Sequence, residues 1–193
     1  MTLIDALMAQ GKRAFREPRA AAADVLALGV PQGALVPAFT LIVVLNVILN
    51  TVSEMVAPTL LASVPPVRIA MFVFALTGAL AFFVAKVGQW FGGAGGWNDS
   101  LLLIIFFQAI FLPLQALHVL LLVASPVMSA LLQLVIFVLG IWVNINFVAA
   151  LHGFPGLGKA AGVLFLASFA VAIVMILVSP ILGIQVVGPT PNV

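Results

Sequence analysis

The chain has 193 residues, of which 65% are hydrophobic and only 6% charged, with a mean hydropathy of +1.36. A soluble domain is about one quarter charged, so the composition excludes a water-soluble globule and leaves no room for a separate soluble enzyme. The sequence pI of about 9.7 rests on a net charge of +2, an orientation signal rather than a nucleic-acid footprint. Cysteine is absent, which removes disulfides, thiolate metal sites and cysteine nucleophiles.

Residues 1–30 are the only amphipathic stretch. Thr2-Leu3-Ile4-Asp5 reads as a capping box. Ile4, Leu7, Met8 and Phe15 can share one helix face, with Lys12, Arg13 and Arg16 on another. Glu17-Pro18 is a break, and Pro18 suits the first turn of a second short helix that stops at Gly29. The pattern predicts one or two short amphipathic helices lying in the membrane interface on the cytoplasmic side. Lys12, Arg13, Arg16 and Arg19 are the candidate contacts to anionic lipid. The charged stretch is longer than the usual start of a signal peptide.

Residues 31–185 read as one transmembrane domain. Five apolar segments, at about 35–57, 67–89, 100–124, 127–151 and 160–183, each exceed the roughly 20 residues needed to cross the hydrocarbon. Glycine and proline punctuate the connections, and the tight Ser125-Pro126 turn predicts an antiparallel hairpin of the third and fourth spans. The expected fold is therefore an all-α integral membrane protein, a bundle of five transmembrane helices. With the N-terminus inside, Lys12, Arg13, Arg16, Arg19, Lys86 and Lys159 fall on the inner face and Arg68 alone on the outer face. This is a positive-inside bias. It predicts a cytoplasmic N-terminus, with residues 186–193 as an outer-side tail.

Asn46, Asn50 and Glu54 recur every four residues along the first span and make one polar stripe. Such a stripe is costly toward lipid, so it should face the bundle, where Glu54 could pair with Arg68. Gln108 and Gln115 share a face of the third span around Pro113, and Gln133, Asn144 and Asn146 add amides to the fourth. The stripe is either a candidate ion or substrate path or plain interhelical hydrogen bonding. His118 and His152 lie at opposite ends of their spans, too far apart for one haem or metal, and each reads as an interfacial polar residue. Gly153-Phe154-Pro155-Gly156-Leu157-Gly158-Lys159-Ala160 approaches a phosphate loop, but Ala160 cannot ligate magnesium and Pro155 has no N–H to offer. No cofactor, metal, nucleotide or nucleic acid is expected. The glycine-rich loop at 92–96 reads as flexible, with Asn98 or Asp99 capping the third span and Trp90 and Trp97 as interfacial anchors.

That loop, with Trp97-Asn98-Asp99-Ser100 through Gln108, resembles the bacterial branch of the Yip (Ypt/Rab-interacting) family. The stretch from Pro18 to Gly29, the Ser125-Pro126 turn and Ala149-Ala150-Leu151-His152-Gly153-Phe154 fit the same pattern. The resemblance implies five spans, a cytoplasmic N-terminal region and no enzymatic activity. It transfers no functional residue, and the short N-terminus lacks a docking segment for small GTPases. The functional expectation is a non-enzymatic organiser or scaffold for lipid, for other membrane proteins or for further copies of itself. The alternative is a small channel or transporter with a path lined by Asn46, Asn50, Glu54, Gln108 and Gln115.

Overall fold

The structure is a computed structural model and describes residues 11–59 and 64–178. Its helices are α1 (Pro18–Ala27), α2 (Gln32–Val56), α3 (Pro66–Trp90), α4 (Trp97–Ala124), α5 (Pro126–His152) and α6 (Leu157–Val178). No strand occurs among the described residues. Helices α2 to α6 are each long and apolar enough to cross a membrane, so the chain is a five-span integral membrane protein. The capping box at residues 2–5, the end of the fifth span and the tail at 186–193 lie outside the described residues.

Local chemistry sets the helix boundaries. Proline opens α1, α3 and α5, where its missing N–H is harmless. Ser125 caps α5 by accepting from the Met128 N–H at 3.4 Å. Gly153, at φ 67°, closes the same helix in the left-handed conformation, as glycine does at helix ends. The third span begins a turn earlier than its apolar run. Asp99 sits inside the first turn, and its Oδ2 accepts from the Gly96 N–H at 3.4 Å.

Helix α4 packs against α2, α3 and α5, while α6 packs against α3 and α5. Helices α2 and α5 flank α4 without closing on each other. Lipid tails are as apolar as leucine, so packing and interhelical hydrogen bonds must fix this order. Helix α4 carries such a bond to each of α2, α3 and α5. Ser100 Oγ donates to the Ala81 carbonyl at 2.8 Å across α4 and α3. Asn46 Nδ2 donates to Gln108 Oε1 at 3.0 Å across α2 and α4. His118 meets Ser129 across α4 and α5. Between these pins the rings of Phe106 and Phe147 stack at 5.7 Å, and Phe107 leans on Phe111 at 4.5 Å. Large apolar side chains such as Ile48, Phe137, Phe165 and Phe169 point outward, as lipid contact requires.

The described part of the N-terminal segment, from residue 11, is helical and docked. Residues 11–16 are helical, the chain bends at Glu17, and α1 follows. Ala14, Ala21 and Ala22 are fully buried, because α1 lies on α4 and α5. The Phe15 ring packs edge-on against Phe111 at 5.3 Å. Arg19 donates to the Phe154 carbonyl and, at 3.3 Å, to that of Pro155. The segment is therefore part of the bundle and not a free surface helix.

Candidate functional site: a polar cleft between α2 and α5

A cavity of about 280 Å³ opens where α2 and α5 part over α4. It is lined by Asn46, Leu49, Asn50, Ser53, Gln115, His118, Val119, Gln133 and Ile136. The i, i+4 spacing of Asn46 and Asn50 places both on the inner face of α2, and Gln115 and His118 share one face of α4 in the same way. Asn46 is 8% exposed. Its amide nitrogen donates to the Ile42 carbonyl at 2.8 Å and to Gln108. Asn50 Nδ2 donates back to the Asn46 carbonyl at 3.1 Å. Both carboxamide oxygens are left over. Gln115 and Gln133 have no protein partner among the described residues. Asn50 and Gln133 are exposed and Gln115 is half-buried, so water or a polar ligand can reach and satisfy these groups.

His118 is held from behind. Its Nδ1 lies 2.9 Å from Ser129 Oγ and 3.2 Å from the Ser129 carbonyl, and Ser129 Oγ lies 3.2 Å from the His118 carbonyl. One arrangement satisfies all three contacts: the serine hydroxyl donates to the His118 carbonyl, and Nδ1–H donates to the serine oxygens. Nε2 has no partner among the described residues. The pair is not arranged as a nucleophile and base. Ser129 is 1% exposed, does not line the cavity, and has its proton directed to a backbone carbonyl.

Sequence reasoning placed Asn46, Asn50 and Gln115 on one polar surface, and the fold brings them together. Gln108 is bonded to Asn46 but is not among the lining residues. Glu54 is not among the lining residues. Near the end of α2 its carboxylate accepts from the Thr59 N–H at 2.7 Å and the Thr59 hydroxyl at 2.6 Å, and so fastens the chain where it leaves the helix. The anticipated Glu54–Arg68 ion pair does not form. Asn144 and Asn146 bond to the Gly140 and Trp142 carbonyls of their own helix and stay out of the cleft. Of the N-terminal cations, Arg13 pairs with Asp24 and, at 3.6 Å, with Glu17. Arg19 is bound to carbonyls, and Lys12 and Arg16 are exposed. Ser53 and His118 were missed as lining residues, and Gln133 was noted only as one of the amides of the fourth span. The hairpin about Ser125 held the signal, since His118 lies seven residues before that turn and Gln133 eight after it.

The cleft is blind. Toward the middle of the bundle the Asn46–Gln108 bond and the rings of Phe107, Phe111 and Phe147 fill the interior. Beyond them a void of about 20 Å³, lined mainly by apolar groups such as Leu103, Phe147 and Leu151, has room for about one water.

The second histidine has a structural setting at the other end of the bundle. His152 is 3% exposed. Its Nδ1 accepts from the Gly95 N–H at 3.2 Å, and its Nε2–H donates to the Val84 carbonyl at 3.1 Å. A Cβ on Gly88 would lie 2.0 Å from Nε2, one on Gly93 2.4 Å from the histidine Cβ, and one on Gly95 2.5 Å from Leu151 Cγ. The glycine-rich loop, with Gly88, is thus a fitted socket for His152 and not a flexible linker. Phe154 stacks on the imidazole at 5.3 Å, and Lys159 Nζ lies 5.9 Å from the Phe154 ring centroid. At 1.5 Å per residue, Ser129 and His152 on α5 are separated by roughly 35 Å, so the two histidines cannot share a ligand.

No family model, curated protein or solved structure matches this chain.

Proposed function

We propose that this integral membrane protein is a non-enzymatic, Yip-like organiser of lipid or partner proteins, with its N-terminus cytoplasmic and its C-terminus on the outer side. The observation that carries this reading is the polar cleft with packed side chains behind it. A site with unsatisfied amides at one end and packed phenylalanine rings behind it can hold a ligand, and it offers no route onward. The distribution of Lys and Arg supports the orientation, and the loop and turn motifs support the Yip likeness. The test is reconstitution into proteoliposomes. An organiser gives no flux of small polar solutes above empty vesicles, and carries lipid or protein through purification in mild detergent.

One observation favours the second reading, a small channel or transporter. Asn46, Asn50 and Gln115 do line a cavity large enough for water, which a conduit needs at one stage of its cycle. Solute flux that disappears in Asn46→Leu would establish it and displace the organiser.

A further inference from the structure

We propose that the cleft between α2 and α5 binds a neutral, hydroxyl-bearing group of sugar or glycerol type, held by its carboxamides around the free ring nitrogen of His118. The inference rests on the reading of the cleft as a blind binding site and names the chemistry that fills it.

The lining decides the class by what it offers and what it lacks. No Lys, Arg, Asp or Glu is among its residues. A phosphate or carboxylate would find no cation. A quaternary ammonium would find neither a carboxylate nor an aromatic face. Hydrocarbon would leave every amide unsatisfied. Carboxamides and hydroxyls both donate and accept, so a polyol matches Asn46, Asn50, Gln115 and Gln133 in both senses. The unpartnered Nε2 of His118 can meet a hydroxyl as donor or acceptor, whereas an ester carbonyl can only accept. Leu49, Val119 and Ile136 give the C–H face of such a group an apolar wall. The volume of about 280 Å³ lies just under the usual range for ligand pockets, roughly 300–1,000 Å³, and suits a single sugar ring or a glycerol unit.

The same hydroxyl chemistry can come from a glycolipid headgroup or from a free sugar. The open side between α2 and α5 and the exposed apolar Ile48 and Phe137 on those helices give room for acyl chains beside the cleft. The test places the full chain in phosphatidylcholine nanodiscs, with or without a minor fraction of monoglucosyl diacylglycerol. Native mass spectrometry reads the retained lipid. Wild-type protein retains the glucosyl lipid in preference to phosphatidylcholine. Asn50→Leu and Gln115→Leu retain about tenfold less, the factor for roughly one lost hydrogen bond, with unchanged thermal unfolding because neither side chain bridges helices. Methyl glucoside that binds in micelles, with no preference for the glucosyl lipid, assigns the free sugar as the source and keeps the chemistry. Equal retention of both lipids with no effect of methyl glucoside overturns the proposal, as does full retention by both leucine variants. Mannitol flux in proteoliposomes separates the two levels of inference. Flux with the preference intact removes the blind-site reading alone, and absence of both removes the ligand class alone.

Discussion

His152 shows how tightly a single side chain can be specified inside a membrane bundle. Both ring nitrogens are bonded to backbone, and three glycines leave the space its atoms occupy. Gly88→Ala should therefore cost roughly 2 kcal/mol by overpacking, read as a lowered unfolding temperature in detergent. Gly156→Ala, whose added Cβ meets nothing within 4 Å, should leave that temperature unchanged. The bonding also fixes the tautomer, and nitrogen NMR of labelled histidine should find the proton of His152 on Nε2. None of this was legible in the sequence. Glycine announces a missing Cβ but not what fills the gap, and here the occupant lies 57 residues further along from Gly95. Asn46 and Asn50 were legible because helical spacing alone puts them on one face. Glu54 obeys the same spacing and escapes the stripe, because the end of a helix frees a carboxylate to serve the turn that follows.

At the scale of elements, α1 is the least expected result. Its pattern announces two faces but cannot say whether the second meets lipid or protein. The clue was the run from Ala20 to Ala23, which offers lipid little and a neighbouring helix close approach. Arg19 latches this element to the turn between α5 and α6. A hydrogen bond to a charged group contributes about 1.5–3 kcal/mol, so Arg19→Gln in the full chain should raise amide exchange across residues 18–27 while the spans stay protected. Unchanged exchange would mean that the alanine face docks without the latch. The α4–α5 hairpin depends on a different pin. Ser129→Ala removes the acceptor and donor behind His118 and should destabilise the fold by about 1–3 kcal/mol, since it strands buried polar groups. Thermal unfolding measures that loss.

For the whole molecule, span number and span length were plain in the hydropathy, because a bilayer imposes one thickness on every crossing. The order of helices around the bundle was not, because apolar faces are interchangeable in lipid and a handful of hydrogen bonds decides who neighbours whom. Orientation is open to a clean experiment, since the chain has no cysteine of its own. A single Gly156→Cys should react with a membrane-impermeant maleimide only from the cytoplasmic side, and Pro58→Cys only from the outer side. The reverse pattern would invert the topology. The socket for His152 carries a consequence for biosynthesis. Val84 and Gly95 flank a space that stays vacant until the ribosome has made the end of α5. When α3 and α4 first enter the bilayer, the loop between them therefore lacks its filling. The second and third spans can be threaded early and joined by the Ser100–Ala81 bond, but the loop between them is filled only when the fourth arrives, so a chain stalled before residue 152 is inserted without being finished.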